Sequence, residues 1–290
     1  MKKPVFTGVC TALVTPFWQD TVNYPMLERL IRRQIDAGIP AVVISGTTGE
    51  SPVLSDYEKL KLFEKAKHYA KDECLIIAGT GSNATEHAVA LSKAAESAGA
   101  DALLVVSPYY NKAVPEGMVI HYTAIANSVE LPVILYNVPS RTGVDIPVEV
   151  YRELANVPNI VGVKEASADI IKTARTLRSC PSDFYVWSGN DDRTVPVMAL
   201  GGAGVISVLS NVAPGKTKAM TDAALLGDYK TAAAVQLEML PLIDLLFCEV
   251  NPIPVKAAMR EIGFDCGECR LPLTPLSHGN REKLKKKLCP

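Results

Sequence analysis

The stretch VILYNVPSRTGVDIPVEVYRELANVPNIVGVKEAS, residues 133–167, decides how the chain is expected to fold. It begins with a short apolar run, Val133–Tyr136, passes through a helix-like segment, Val148–Leu154, and returns to an apolar run, Ile160–Val163. Runs that are apolar at successive positions are typical of parallel strands covered by helices on both faces. The stretch therefore predicts one strand–helix–strand unit.

The same alternation of strand and helix repeats along the chain. Six further strands are predicted at Gly8–Val14, Ala41–Ile44, Leu75–Ala78, Ala102–Val106, Phe184–Trp187 and Gly204–Val208. Helix-like segments lie between the strands at Pro25–Ala37, Asp56–Lys71, Thr85–Ala98, Pro115–Ser128, Ile170–Leu177 and Arg193–Leu200. Eight such units predict an α/β fold, the (β/α)8 TIM barrel, with a doubly wound open sheet as the alternative.

The pattern changes after the eighth strand. Three helix-like stretches follow one another there: Tyr229–Phe247, Pro254–Ile262 and Arg281–Leu288. We therefore predict a catalytic barrel over residues 1–225 and a C-terminal helical extension over residues 226–290. Basic residues in the last stretch alternate with leucines at helical spacing, which is typical of the solvated face of a terminal helix.

Composition and charge indicate a small-molecule partner. The chain has 290 residues, of which 48% are hydrophobic and 21% charged, and its formal net charge is −1. A near-neutral chain gives no electrostatic reason to expect nucleic acid or an anionic membrane as partner. Lys2 and Lys3 imitate the start of a signal peptide, but Pro4 and Gly8 interrupt the apolar run, so a first strand is expected instead.

The cysteines indicate reduced thiols in the cytoplasm. There are seven, an odd number at irregular spacing, which does not suit a disulfide framework. Cys266 and Cys269 have the spacing of metal ligands, but no second pair completes a zinc pattern. We therefore expect no metal site and no redox role for this pair.

Polar residues follow the predicted strands where each strand ends. The segments in question are Thr15–Pro16, Gly46–Glu50, Gly79–Asn83, Pro108–Asn111, Asn137–Gly143, Lys164–Ser167 and Gly189–Asp192. In a barrel these ends gather on one rim, where active sites are built. Ser167, Asn190 and Asp191 have an alternative explanation as helix caps. Capping does not explain two tyrosines, an arginine and a lysine.

Lys164 is the main candidate for chemistry. It follows an apolar strand, and burial at the mouth of a barrel disfavours the ammonium form and leaves an amine able to attack a carbonyl. Tyr136 ends the preceding strand, so its phenol is expected beside that amine, where it would transfer protons. Position alone leaves the alternatives open: a surface lysine that begins a loop, and an aromatic ring that packs the rim.

Three weaker patterns concern ligands. The glycines and hydroxyls of Gly46–Glu50 suit a small anion such as a carboxylate. Arg141 offers a planar fork to a second carboxylate, although a lone arginine is usually a surface residue. Gly79-x-Gly81-x-x-Ala84 imitates a dinucleotide fingerprint, but the acidic residue expected after the next strand is missing, which disfavours a nicotinamide oxidoreductase.

Taken together, these segments resemble a known family over nearly the whole chain. The segments that carry the resemblance are Gly46-Thr-Thr-Gly-Glu50, Tyr136-Asn-Val-Pro-Ser-Arg-Thr-Gly143, Gly162-Val-Lys-Glu-Ala166, Asn251-Pro-Ile-Pro-Val-Lys256 and Leu271-Pro-Leu-Thr-Pro275. They resemble the pyruvate-dependent class I aldolases of the N-acetylneuraminate lyase superfamily. Within it the match is to the branch that condenses pyruvate with L-aspartate 4-semialdehyde, the first committed step of diaminopimelate and lysine biosynthesis.

The resemblance implies a role for each matching residue. Lys164 forms an imine with pyruvate, and Tyr136 donates and accepts protons. Thr47 and Tyr110 complete a hydroxyl relay, with Tyr110 contributed by the neighbouring subunit. The remaining substrate-binding positions are Thr48 and the backbone of Ile206 for pyruvate, Arg141 for the semialdehyde carboxylate, and Gly189 at the same rim. The resemblance further implies no metal or organic cofactor and a homotetramer built as a dimer of dimers.

Two other functions remain as alternatives. Sialic acid lyases and sugar-acid aldolases share the lysine, the tyrosine and the Gly-x-x-Gly-Glu pattern, but they typically lack the Ser-Arg-Thr-Gly segment. Arg141 therefore favours the semialdehyde branch. A non-catalytic barrel that kept the fold is disfavoured because Lys164 and Tyr136 are both present.

Many members of this family are inhibited by L-lysine in a cleft between subunits. The corresponding positions here are Ser51, Pro52, Asp56, Lys59, Asn83, His87 and Tyr109. Lysine-sensitive members usually have histidine or glutamate where this chain has Lys59, and glutamate where it has His87. A cation at Lys59 repels the ligand's ammonium group, which only Asp56 would partly offset. We therefore expect the site to be degenerate and lysine inhibition to be weak or absent.

Overall fold

The computed structural model describes residues 1–288, so the last two residues of the predicted extension, Cys289 and Pro290, lie outside the described part. Eight parallel strands form a closed barrel: Gly8–Ala12, Ala41–Ile44, Leu75–Gly79, Ala102–Val106, Val133–Asn137, Ile160–Glu165, Tyr185–Ser188 and Gly204–Ser207. The first strand pairs with the eighth, with Gly8 opposite Gly204, and with the second. The predicted TIM barrel is confirmed, and the open sheet is excluded because the barrel has no free edge.

Helices follow the strands around the outside of the barrel. The α-helices span Tyr24–Asp36, Asp56–Ala70, Thr85–Ser97, Pro115–Ala126, Pro139–Thr142, Val148–Leu154, Ile170–Ser179, Thr194–Ala199, Leu209–Val212, Pro214–Leu225, Tyr229–Leu246, Ile253–Glu261 and His278–Leu288. Short 3-10 helices span Ser51–Val53 and Asp191–Arg193. Sequence analysis did not predict the helix Pro214–Leu225 or a small hairpin of Phe17–Trp18 and Thr21–Val22.

Side-chain caps fix where several helices begin. The Ser55 hydroxyl accepts a hydrogen bond from the Glu58 backbone, and the Glu58 carboxylate accepts one from the Ser55 backbone, which is a capping box. The Asp169 carboxylate caps Ile170–Ser179 by accepting from the Ile171 N–H at 2.8 Å. The second cap places the start of Ile170–Ser179 soon after the strand Ile160–Glu165, so the loop that carries Ser167 is short.

Two apolar layers make up the core. The larger layer lies between the strands and the surrounding helices. The smaller layer fills the inside of the barrel, where the ring of Phe6 stacks on that of Trp187 with 5.2 Å between centroids. The inside of the barrel is therefore a packed core and not a pore, as expected for this fold.

The division into two parts at residue 225 stays a prediction. The helices on either side of it, Pro214–Leu225 and Tyr229–Leu246, pack against each other. Across residues 1–288, the structure contains no helix long and apolar enough to span a membrane. Six cysteines within the same range are free, and burial raises the pKa of Cys266 to about 12, which disfavours its reactive thiolate.

His121 gives the fold a pH-dependent stability. Its Nδ1 lies 2.9 Å from the Thr85 hydroxyl, its Nε2 is buried without a partner among residues 1–288, and burial lowers its pKa from 6.5 to about 4. Because the folded protein holds this histidine in its neutral form, the fold has its full stability above pH 6.5, where the histidine of the unfolded chain is neutral too. That contribution is lost as the pH falls from 6.5 towards 4, because the unfolded chain then binds the proton more tightly.

We therefore expect the free energy of unfolding to fall by up to about 3 kcal/mol between pH 6.5 and pH 4 because of this residue alone. The variant His121→Asn should show a shallower decline over the same range, whatever its stability at pH 7. Urea unfolding at a series of pH values measures both slopes. Parallel curves for the two proteins would contradict the assignment.

Candidate active site

Lys164 and Tyr136 face each other inside the barrel. The fifth and sixth strands pair in parallel with Tyr136 opposite Lys164. The Lys164 side chain is buried, with a residue exposure of 5%, and its Nζ lies 4.3 Å from the centroid of the Tyr136 ring. The structure therefore places the two groups side by side, as the order of the strands predicted, and the reading of Lys164 as a surface lysine is wrong.

A buried polar network holds the strand end from the other side. The next residues along the two strands, Asn137 and Glu165, are joined by a hydrogen bond of 2.8 Å from Asn137 Nδ2 to Glu165 Oε1. The same carboxylate accepts from the Ser167 N–H at 2.8 Å and from the Tyr151 hydroxyl at 3.0 Å. Lys172 lies 3.7 Å from it as a counter-ion. Glu165 is thus a positioning residue that sequence analysis quoted but to which it gave no role.

A cavity of about 240 Å³ opens beside Tyr136. Its lining includes Thr47, Tyr136 and Arg141 from the predicted catalytic set and Ser51, Lys59, His87 and Tyr109 from the predicted effector set. Lys164 does not line this cavity, because its amine lies against the ring of Tyr136, which does. Residues of the predicted catalytic site and of the predicted effector site therefore line the same cavity within one chain.

Thr48 and Arg141 meet at one residue of the extension, Asn251. The Thr48 hydroxyl accepts a hydrogen bond of 3.0 Å from Asn251 Nδ2. Arg141 Nη2 donates to the backbone carbonyl of Asn251 at 3.0 Å. Thr48 and Asn251 are buried. The residue predicted to bind pyruvate, Thr48, and the residue predicted to bind the semialdehyde, Arg141, are therefore both hydrogen-bonded to Asn251.

The loops after the seventh and eighth strands pack closely against Lys164's strand. Gly189 donates its N–H to the Glu165 carbonyl at 2.8 Å, and a Cβ at Gly189 would lie 2.5 Å from Ala166 Cβ, so only glycine fits. Asp191 is fully buried and accepts from the N–H groups of Val208 and Leu209 at 3.0 Å. Burial raises the pKa of Asp191. These bonds fix the end of the strand that contains Ile206.

Of the three residues with an alternative explanation as helix caps, Ser167, Asn190 and Asp191, only Asp191 caps a helix. Asp191 caps the short helix Leu209–Val212 from a neighbouring loop. Asn190 precedes the 3-10 helix Asp191–Arg193 without a side-chain cap, and the Ser167 hydroxyl is buried without a partner.

Tyr110 does not join Tyr136 within one chain. Its side chain is 89% exposed, and its backbone lies in the left-handed region at φ 69°. A bulky residue is uncommon in that region. Its role in a relay across subunits stays a prediction, while Thr47 lines the cavity next to Tyr136.

The predicted effector positions contain a shared carboxylate. His87 Nε2 lies 2.9 Å from Asp56 Oδ2, and Lys59 Nζ lies 3.9 Å from Asp56 Oδ1. Lys59 is 7% exposed, and burial lowers its pKa. Asp56 therefore already has two basic neighbours, and the carboxylate that was expected to compensate is engaged. Asn83 uses its backbone carbonyl to accept from Asn111 at 2.9 Å.

The Gly46–Glu50 loop is strained and anchored by the extension. Ser45 and Glu50 lie at φ 57° and φ 58°, in the left-handed region. Lys256 Nζ contacts Glu50 Oε1 at 2.8 Å, with both side chains buried, and the Arg270 N–H donates to Glu50 Oε2 at 2.9 Å. Strained backbone persists where surrounding contacts over-determine it, and here those contacts come from residues 206 and 220 positions away.

Close packing of neighbouring strands accounts for the glycines of the apparent dinucleotide fingerprint. A Cβ at Gly79 would lie 2.2 Å from the Ser45 carbonyl oxygen, and a Cβ at Gly81 would lie 2.4 Å from the Val106 nitrogen. Among residues 1–288, moreover, no cluster of three or more His, Cys, Asp or Glu side chains is arranged to hold a metal ion.

Comparison with known proteins gives consistent similarities. A profile of the dihydrodipicolinate synthetase family matches residues 5–289. A 4-hydroxy-tetrahydrodipicolinate synthase of Acetivibrio thermocellus is 47% identical over 288 residues, covering 99% of this chain and 98% of its own. A solved monomeric dihydrodipicolinate synthase variant has a TM-score of 0.96 at 43% identity, covering 98% of this chain and 96% of its own. Dihydrodipicolinate synthase of Cyanidioschyzon merolae, solved with lysine bound, has a TM-score of 0.95 at 40% identity, covering 98% and 97%.

The buried pair of Glu50 and Lys256 gives a test of stability. The variant Lys256→Met should lower the free energy of unfolding by about 3–5 kcal/mol, because it leaves the Glu50 carboxylate buried without its counter-ion. The double variant Glu50→Gln/Lys256→Met should lose clearly less, because no charge is stranded.

Urea unfolding of all three proteins measures these differences. The exposed pair of Lys216 and Glu238, at 3.0 Å, provides the matched control, and Lys216→Met should change stability by less than about 1 kcal/mol. If Lys256→Met were as mild as Lys216→Met, the anchoring role would be wrong.

Proposed function

The chain belongs to the dihydrodipicolinate synthetase family, and we propose that it condenses pyruvate with L-aspartate 4-semialdehyde through an imine on Lys164 to give 4-hydroxy-tetrahydrodipicolinate. It is an enzyme that acts on small molecules. The observation that carries the mechanism is the buried Lys164 amine lying 4.3 Å from the ring centroid of Tyr136. An amine in a desolvated site next to a phenol is suited to imine chemistry.

The proposed reaction begins with attack of the Lys164 amine on the ketone carbon of pyruvate. The carbinolamine loses water and becomes an imine, and loss of a proton from the pyruvate methyl group gives an enamine. Tyr136 donates the proton with which the carbinolamine hydroxyl leaves as water, and it accepts protons in the steps that release them. The enamine carbon then forms the new carbon–carbon bond with the aldehyde carbon of the semialdehyde, the aldehyde oxygen takes up a proton and becomes a hydroxyl group, and the nitrogen of Lys164 is again part of an imine.

Release of the product frees the lysine. The semialdehyde's own amino group attacks the imine carbon, closes the ring and expels the Lys164 amine. The first exchange replaces the ketone C=O bond with a C=N bond and releases water, and the second replaces one C=N bond with another, so no oxidant or reductant enters. The mechanism uses no metal or organic cofactor, since the protonated imine itself accepts the electron pair of the carbon acid.

The remaining proposed roles are those that the resemblance to the family implies. Thr48 and the backbone of Ile206 bind the pyruvate carboxylate, and Gly189 lies at the same rim. Arg141 pairs with the semialdehyde carboxylate as a planar, bidentate donor. Thr47 passes protons between Tyr136 and Tyr110, and Tyr110 comes from a neighbouring subunit.

We also propose the homotetramer and a cytoplasmic location. A relay that crosses subunits requires at least a dimer, and the 89% exposure of Tyr110 leaves its ring available to a second copy. Free cysteines suit a reducing compartment.

Covalent trapping tests the mechanism. Borohydride with pyruvate should reduce the imine to a stable amine on Lys164, which peptide mass spectrometry would locate, and Lys164→Ala should give no adduct. In steady-state assays, Tyr136→Phe should lower kcat by about 100-fold or more, because it removes the proton donor. An adduct on another lysine, or none, would overturn the proposal. N-acetylneuraminate cleavage is the matched control reaction and should be negligible.

L-lysine should inhibit this enzyme weakly or not at all. Among the predicted effector positions Asp56 is the one carboxylate, and it already contacts His87 and Lys59 instead of a ligand's ammonium group. The measurement is the initial rate at increasing L-lysine with both substrates near their KM values. Half-inhibition below about 1 mM would contradict the prediction, since it corresponds to more than about 4 kcal/mol of binding free energy.

A further inference from the structure

The contact between the extension and the rim carries an inference about substrate binding. Asn251 lies between the helices Tyr229–Leu246 and Ile253–Glu261, and it is buried. Its side-chain amide donates to the Thr48 hydroxyl, and its backbone carbonyl accepts from Arg141. One residue outside the barrel thus contacts a group proposed for each of the two substrates.

The hydrogen bond to Thr48 determines where the hydroxyl proton points. A threonine hydroxyl has one proton to donate and two lone pairs that accept. Among residues 1–288, the bond from Asn251 Nδ2 is the one hydrogen bond of the Thr48 side chain, and in it the hydroxyl is the acceptor. The proton therefore has no acceptor within the described residues, so a ligand carboxylate could accept it.

We propose that the Asn251 side chain is a positioning residue for pyruvate, which acts by orienting the Thr48 hydroxyl towards the pyruvate carboxylate. The inference rests on the proposed function. Arg141, by contrast, is held by the backbone carbonyl, which every substitution retains. The two substrates therefore depend on different parts of the same residue: pyruvate on its side chain and the semialdehyde on its main chain.

A purely structural role for Asn251 makes a different prediction. The extension is anchored to the rim independently, through the buried Glu50–Lys256 pair and the Arg270 N–H. Loosening that anchor would disturb Thr48 and Arg141 together and would affect both substrates. Loss of the orienting bond alone affects only pyruvate.

The test compares KM values for the two substrates in the tetrameric or otherwise native enzyme. Asn251→Ala should raise the KM for pyruvate about tenfold, the size expected when one hydrogen bond to a charged group loses its orientation. The KM for L-aspartate 4-semialdehyde and the kcat at saturating pyruvate should change by less than about threefold. Asn280, in the same extension, donates its side-chain amide to the Glu249 carboxylate at 2.8 Å and not to the rim. Asn280→Ala is therefore the matched control and should leave both KM values unchanged.

Asn251→Asp separates donation from acceptance by the amide. An aspartate cannot donate to Thr48, accepts the hydroxyl proton itself and repels the pyruvate carboxylate, so this variant should bind pyruvate more weakly than Asn251→Ala. Wild-type affinity for pyruvate in Asn251→Asp would show that the side chain accepts from Thr48 and would overturn the inference.

Two further outcomes separate the inference from the proposed function. If the wild type traps pyruvate on Lys164 but Asn251→Ala has an unchanged pyruvate KM, or an equal rise for both substrates, the positioning role is wrong and the mechanism stands. If the wild type traps no pyruvate on Lys164, the proposed function itself fails. Thermal unfolding midpoints of all variants should stay within a few degrees of the wild type, which excludes misfolding as the cause.

Discussion

The register between the fifth and sixth barrel strands determines the position of every group around Lys164. Parallel pairing sets Tyr136 opposite Lys164 and Asn137 opposite Glu165. Because side chains alternate between the two faces of a strand, the first pair enters the barrel and the second pair faces the helices. A slip of one residue would exchange the two faces, placing the amine among the helices and the carboxylate in the barrel. Closure of the barrel removes that freedom.

The outer pair stabilises the register that the inner pair needs. Glu165 is buried and accepts from Asn137, Ser167 and Tyr151, so its lone pairs are largely satisfied. Lys172 provides a positive charge nearby and is itself paired with Asp145. A network whose hydrogen bonds are all made keeps the strand end rigid. Loss of one partner would leave the buried carboxylate without compensation for its desolvation and would destabilise the fold. The chemistry on one face of the strand thus depends on polar contacts on the other face.

The sequence predicted what local patterns encode. Apolar runs located all eight barrel strands, and strand ends located Lys164, Tyr136 and Arg141, because period and position are visible in a few consecutive residues. The hairpin of Phe17–Trp18 was missed since two-residue strands have no alternation to detect. The helix Pro214–Leu225 was missed since alanines, threonines and lysines surround its few apolar residues and give it a weak apolar stripe.

Contacts between segments that are far apart in the sequence could not be predicted from local patterns. Asn251 and Lys256 were visible only as part of a family motif, and their partners Thr48 and Glu50 lie 203 and 206 residues earlier in the chain. No spacing rule relates such positions, so the role of the extension emerges only when the barrel is closed and the rim assembled. The same holds for Asp56, whose carboxylate appeared free in the sequence but has His87 and Lys59 as neighbours.

The charges around the cavity connect these observations. Arg141 and Lys59 both line it, and Asp56, the carboxylate beside Lys59, is paired with His87 as well. A cavity wall with more basic than free acidic groups attracts carboxylates and repels ammonium groups, and the effect is strongest where burial excludes water. Pyruvate enters as a carboxylate and the semialdehyde with one carboxylate and one ammonium group, whereas free lysine has a second ammonium group that also requires an acceptor. Lys59, which is expected to weaken lysine binding, therefore also adds a positive charge to the wall of the cavity that Tyr136 lines.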